Sequence, residues 1–137
     1  MVNVRSLQEM KKARPSDLEM QVLGVLWARG PSTAREVLEA MPDGKERAYT
    51  SVLSVMQVME KKGLLKHTRR GVAHVYSPAV SRNRIVRPFV HKVVSEVFAG
   101  KPSTLVQELL AEGSVSQEEL TRIRKLLDEA SSSKGSG

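Results

Sequence analysis

The chain has 137 residues, 40% of them hydrophobic and 27% charged, which suffices for one ordinary domain or two small ones with packed cores. Its 22 Lys and Arg outnumber 15 Asp and Glu, and the excess is concentrated in residues 1–80, a balance that suits a polyanionic partner. Cysteine is absent, so disulfides, thiolate metal sites and cysteine redox switches are excluded. No apolar run approaches the roughly 18 residues of a membrane span, and the start MVNVRSLQEMKK lacks a signal-peptide core; a cytoplasmic chain without membrane insertion is expected.

Residues 1–15, carrying Arg5, Lys11, Lys12 and Arg14, read as a flexible basic arm. A first helix opens at a capping box, Ser16 with Glu19, buries Leu18, Val22, Leu23, Val25, Leu26 and Trp27, and stops at Gly30. A second box, Thr33 with Glu36, opens a short helix with Val37, Leu38 and Met41 inward, closed by Pro42 and Asp43-Gly44. The third helix begins after Ala48. Tyr49, Val52, Leu53, Met56 and Met59 recur at three- and four-residue spacing, an apolar stripe expected to bury as a whole. Its opposite face shows Thr50, Ser51, Ser54 and Gln57, short uncharged side chains able to hydrogen-bond base edges without holding the helix off a groove wall. Two strand-like runs follow, 65–69 and 72–77, joined at Arg70-Gly71 with Lys66, His67, Arg69 and Arg70 close by. A polar-faced helix leading into a basic hairpin describes a winged helix-turn-helix, complete over residues 16–80.

Beyond Ser81 the pattern is helical only. Residues 83–99 carry apolar groups on more than one face, and Pro88 within them predicts either a kink or a helix start near that residue. Two further helices are predicted, over 103–112 and from a Ser116–Glu119 cap onward. Three helices over residues 81–130 bury too little surface to stand alone, so this region is expected to form a homodimer through Val90, Val94, Val97, Leu105, Leu109, Ile123 and Leu127. Residues 131–137 lack apolar groups and read as a disordered tail. The fold class expected is therefore mainly α with a small β-hairpin wing: a winged helix-turn-helix domain plus a C-terminal helical dimerisation region.

These elements point to double-stranded DNA as partner. Thr50, Ser51, Ser54 and Gln57 are the candidates for base edges, and Arg47, Lys61, Lys62, Arg69 and Arg70 for phosphates. His67, His74 and His91 are dispersed in sequence without ligand spacing, and Trp27 reads as core, so no metal or cofactor is expected. No Gly-rich phosphate loop, H-E-x-x-H or G-x-S-x-G occurs, which argues against an enzyme. The alternative is a winged-helix adaptor that binds proteins rather than a defined DNA sequence.

The segments LEMQVLGVLWARG, TAREVLEAM, AYTSVLSVMQVMEKKGLL and AHVYSP, in order within residues 16–130, resemble the BlaI/MecI/CopY family of bacterial repressors. The resemblance implies a repressor that binds a palindromic operator as a homodimer, of a resistance operon in the penicillinase branch, where a membrane sensor-protease signal leads to cleavage in the C-terminal region. The asparagine-phenylalanine bond cut in that branch aligns with Glu108-Leu109, so this chain departs from it there. It also has Val58 and Val72 where many members carry arginine, and it lacks the cysteine cluster of the copper-responsive branch, which excludes copper sensing by that route.

Overall fold

The computed structural model describes residues 15–135. The expected basic arm, apart from Pro15, lies outside the described residues. The chain divides into two compact units, one ending at Pro88 and the other beginning at Phe89.

In the first unit, α1 spans Asp17–Arg29 and opens at the expected capping box: Ser16 Oγ accepts from the Glu19 amide at 3.2 Å, and the Glu19 carboxylate accepts from the Ser16 amide at 2.9 Å. The same reciprocal pair, Thr33 with Glu36, opens α2, Ala34–Glu39. Helix α3, Tyr49–Lys61, ends in a Schellman turn, with the Leu64 amide donating to the Met59 carbonyl at 2.9 Å. Gly63 supplies the left-handed φ of 83° that this turn requires, and the chain leaves it directly into the hairpin.

The hairpin pairs β1, Leu65–Arg70, with β2, Ala73–Pro78, antiparallel and in a register that sets Arg70 opposite Ala73. The turn therefore consists of Gly71 and Val72, one residue later than the sequence suggests. Gly71 takes φ 63° as the first central residue while Val72 does not adopt a positive φ, the type II′ pattern, which calls for glycine at that first position. A third extended segment joins in: Ser32, between α1 and α2, exchanges both backbone hydrogen bonds with Tyr76 at 2.9 and 2.8 Å.

Val22, Leu23, Leu26, Val37, Val52, Met56, Met59, Leu65 and Tyr76 close one core from three helices and both strands. Each such side chain, taken fully out of water, stabilises the fold by about 1.5–3 kcal/mol before entropy is counted. The Trp27 indole N–H donates to the Val80 carbonyl at 3.1 Å, tying the segment after the wing back to α1.

Helix α4 spans Arg82–Val97 and runs through Pro88, so the alternative of a start near Pro88 does not hold. Ser81 provides the reason: its Oγ accepts from the Arg84 amide at 3.2 Å and starts the helix six residues ahead of the proline. Helix α5, Pro102–Ala111, starts on a proline whose missing N–H costs nothing in the first turn. Helix α6, Gln117–Gly135, carries the expected Ser116 cap on the Glu119 amide at 3.1 Å. It continues through 131–135, where the sequence suggests a disordered tail. Serine costs a helix only a few tenths of a kcal/mol per residue, and neither proline nor glycine interrupts the run before Gly135.

Candidate nucleic-acid interface

Helix α3 is anchored by its inner face and open along its outer one. Val52, Met56 and Met59 are wholly buried, and Leu53 is half-buried. Tyr49 departs from the expected stripe: it is 37% exposed, because the first helical residue stands beyond the core's edge. The Arg35 guanidinium lies over its ring, 4.8 Å from the centroid. Thr50, Ser51, Ser54 and Gln57 are all exposed, as are Lys61 and Val58.

Beside this face stands the wing. Lys66, Arg69 and Arg70 are exposed, and Val72 at the turn is fully so. Between wing, α2 and α3 opens a cleft of about 400 Å³ whose lining includes Thr33, Arg35, Gln57, Val72 and His74. His67 and His74, dispersed in sequence, are brought together by the strand register, with stacked rings 4.3 Å apart. His67 Nδ1 lies 2.5 Å from a Glu60 carboxylate oxygen, which links the wing to the end of α3.

The five basic candidates divide into two kinds. Lys61, Arg69 and Arg70 are exposed and form no ion pair among the described residues. Arg47 and Lys62 are engaged. Arg47 grips Asp43 through two hydrogen bonds, 2.8 and 2.6 Å, and Asp43 also accepts from the Lys45 amide at 3.1 Å. These bonds, Arg47's first, hold the Asp43 carboxyl well below the usual carboxylate range. Lys62 donates to the buried Glu19 at 3.0 Å. One pair thus fastens the entry to α3 and the other its exit, roles invisible in a charge count.

Glu19 makes stability depend on pH. Burial pushes its pKa up, but the Ser16 hydrogen bond and the Lys62 ammonium overcome that, leaving it below the ordinary 4.5. A carboxylate depressed on folding contributes stability that is fully present above its unfolded pKa and is lost as pH falls through the folded value. Glu19→Gln is therefore expected to lower the urea midpoint near neutral pH and to show a smaller further drop on acidification below about pH 4.5. Parallel midpoint curves for the two proteins would show that the Glu19 charge contributes nothing.

In the second unit no residue of α4 or α5 is buried. Val97, Leu109 and Leu127 are 69%, 58% and 61% exposed, and Val90 is exposed too; Val94, Leu105 and Ile123 are half-buried. Val106, Leu110 and Leu126, which the helical spacing in the sequence places on the apolar faces, are also exposed. Glu108 and Leu109 lie together on α5, both exposed. No helix among the described residues is long and apolar enough to cross a membrane.

Comparison with known proteins bears on this arrangement. A family model described as "Penicillinase repressor" matches residues 15–129. "Transcriptional regulator BlaI" of Mycobacterium tuberculosis is 40% identical over 77 residues, which cover 56% of this chain and 56% of that protein. The match thus spans little more than half the length of that relative. "Penicillinase repressor" of Bacillus licheniformis is 23% identical over 114 residues, covering 83% of this chain and 89% of its own. Among solved structures, MepR, a transcription regulator of the Staphylococcus aureus multidrug efflux pump MepA, covers 92% of this chain and 84% of its own at 19% identity with a TM-score of 0.51, a likeness of fold.

Proposed function

The chain belongs to the penicillinase repressor family, and from that premise we propose that it represses transcription by binding a palindromic duplex operator as a homodimer. The observation that carries this reading is the outer face of α3: exposed, short, uncharged hydrogen-bonding side chains bordered by the cationic wing. In the major groove, Thr50, Ser51, Ser54 and Gln57 meet base edges, and Lys61, Arg69 and Arg70 neutralise phosphates. Arg35, which the sequence pattern does not single out, stands at the start of α2 beside the same face and adds a further cation toward the backbone. Lys62 ties the end of α3 to α1 through Glu19, and Arg47 braces the loop that leads into α3.

The uncovered apolar side chains of the second unit support a dimer contact there. Relief of repression then follows from a cut in that unit by a sensor-linked protease. The exposed Glu108-Leu109 peptide lies between α4 and α6, so cleavage at it separates apolar groups that the dimer needs together. The names of relatives, "Penicillinase repressor" and "Methicillin resistance regulatory protein MecI", support a resistance operon as the regulated unit.

Selecting bound duplexes from a random pool tests the reading. The expected outcome is an inverted repeat with half-site centres about 10 base pairs, or a multiple of that, apart. An enriched site without two-fold symmetry would remove the palindromic homodimer, and no enrichment would remove sequence-specific binding.

A further inference from the structure

One side chain on the outer face of α3 does not match its surroundings. Val58 is 46% exposed, yet it stands seven residues after Ser51 and four after Ser54, on the same side of the helix. It cannot be turned inward. Val52, Met56 and Met59, fully buried on the other side, would have to leave the core for α3 to rotate that far. Water at this position solvates an apolar, β-branched group held largely to one rotamer by the helix, so its methyls have a fixed address. The exposed surface of α3 and the wing carries Lys61, Lys66, Arg69 and Arg70, a cationic excess that favours a polyanion as the occupant over an apolar protein surface.

We propose that Val58 packs against the 5-methyl group of a thymine in each operator half-site and so determines sequence specificity. This rests on the DNA-binding reading above and deepens it. The major-groove edge of a duplex presents only one apolar group, the thymine methyl; all other features there are hydrogen-bond donors and acceptors. The hydroxyls of Thr50, Ser51 and Ser54 donate or accept and tolerate several bases, so they discriminate loosely. A rigid apolar contact beside them discriminates by a different rule: it gains when a methyl is buried and leaves a polar edge unpaired when cytosine or adenine takes its place.

The test uses the intact chain and a duplex from the random-pool selection. Each thymine of one half-site is replaced singly by deoxyuridine, which removes the methyl and preserves the base pair. At one position the affinity is expected to fall about fourfold, the effect of losing one buried methyl-sized group. For Val58→Ala, whose thermal unfolding should not fall below the parent's because the side chain is outside the core and alanine is the better helix former, that position becomes insensitive to the methyl and the other thymines respond as before. Equal uridine responses of parent and variant at every thymine, or a selected half-site with no sensitive thymine, would overturn the assignment of Val58 while leaving sequence-specific binding intact. Failure to select any duplex overturns the DNA-binding reading itself, and Val58 with it.

Discussion

A fragment ending at Pro88 is expected to be a folded monomer that binds a full operator about 10²- to 10⁴-fold more weakly than the intact chain. Its core is complete without the rest: α1, α2, α3 and both strands contribute the buried cluster, and the Trp27–Val80 bond is retained. The cut removes Val90, Val94, Val97, Leu105, Leu109, Ile123 and Leu127, and with them the proposed dimer interface that would make binding of the second half-site intramolecular. Sedimentation, circular dichroism and operator titration on one sample read all three properties. A fragment that remains a stable dimer, or binds with near-intact affinity, would place the dimer interface in the winged domain and undo the account of relief by cleavage.

The second large effect is expected at the wing. Arg69→Ala with Arg70→Ala should weaken binding to every duplex, specific or not, and reduce the slope of log affinity against log salt by about 0.9 for each phosphate left without its cation. Neither arginine stands within ion-pair distance of a carboxylate among the described residues, and the electrostatic influence of Arg70 falls on the partly exposed Glu36, so little fold stability goes with the charges. Ser51→Ala or Ser54→Ala should behave in the opposite way, changing base preference at a defined position and leaving the salt slope in place. Lys62→Ala gives a third pattern, lower stability with an unchanged slope, because its ammonium is committed to Glu19. A double arginine variant with the parent's salt slope would take the wing out of the interface.

Much of this architecture is legible in the sequence where it depends on local chemistry. The capping boxes at Ser16–Glu19 and Thr33–Glu36 and the Ser116 cap are read within four residues, and each is present. The inward spacing of Val52, Met56 and Met59 likewise follows from helix geometry alone. Features set by tertiary placement are not legible. Lys62 looks like any exposed cation at a helix end until Glu19, from the far side of the sequence, is seen beneath it. Arg47 and Asp43 stand at an ion-pair spacing, but outside a helix that spacing carries no geometry, and the loop has to bring them together. The stacking of His67 on His74 depends on the hairpin register, which shifts by one residue because Gly71 takes the first turn position. Val58 is visible as a departure from the family pattern; only the depth of the opposing core shows that it is held outward.

The central claim, that α3 and the wing read a defined duplex, is tested most directly by titrating the intact chain against the selected operator and a scrambled duplex of the same composition. At physiological salt the operator should bind at least about 10³-fold more tightly, with both affinities falling as salt rises. Equal affinity for the two duplexes would contradict sequence reading by this surface.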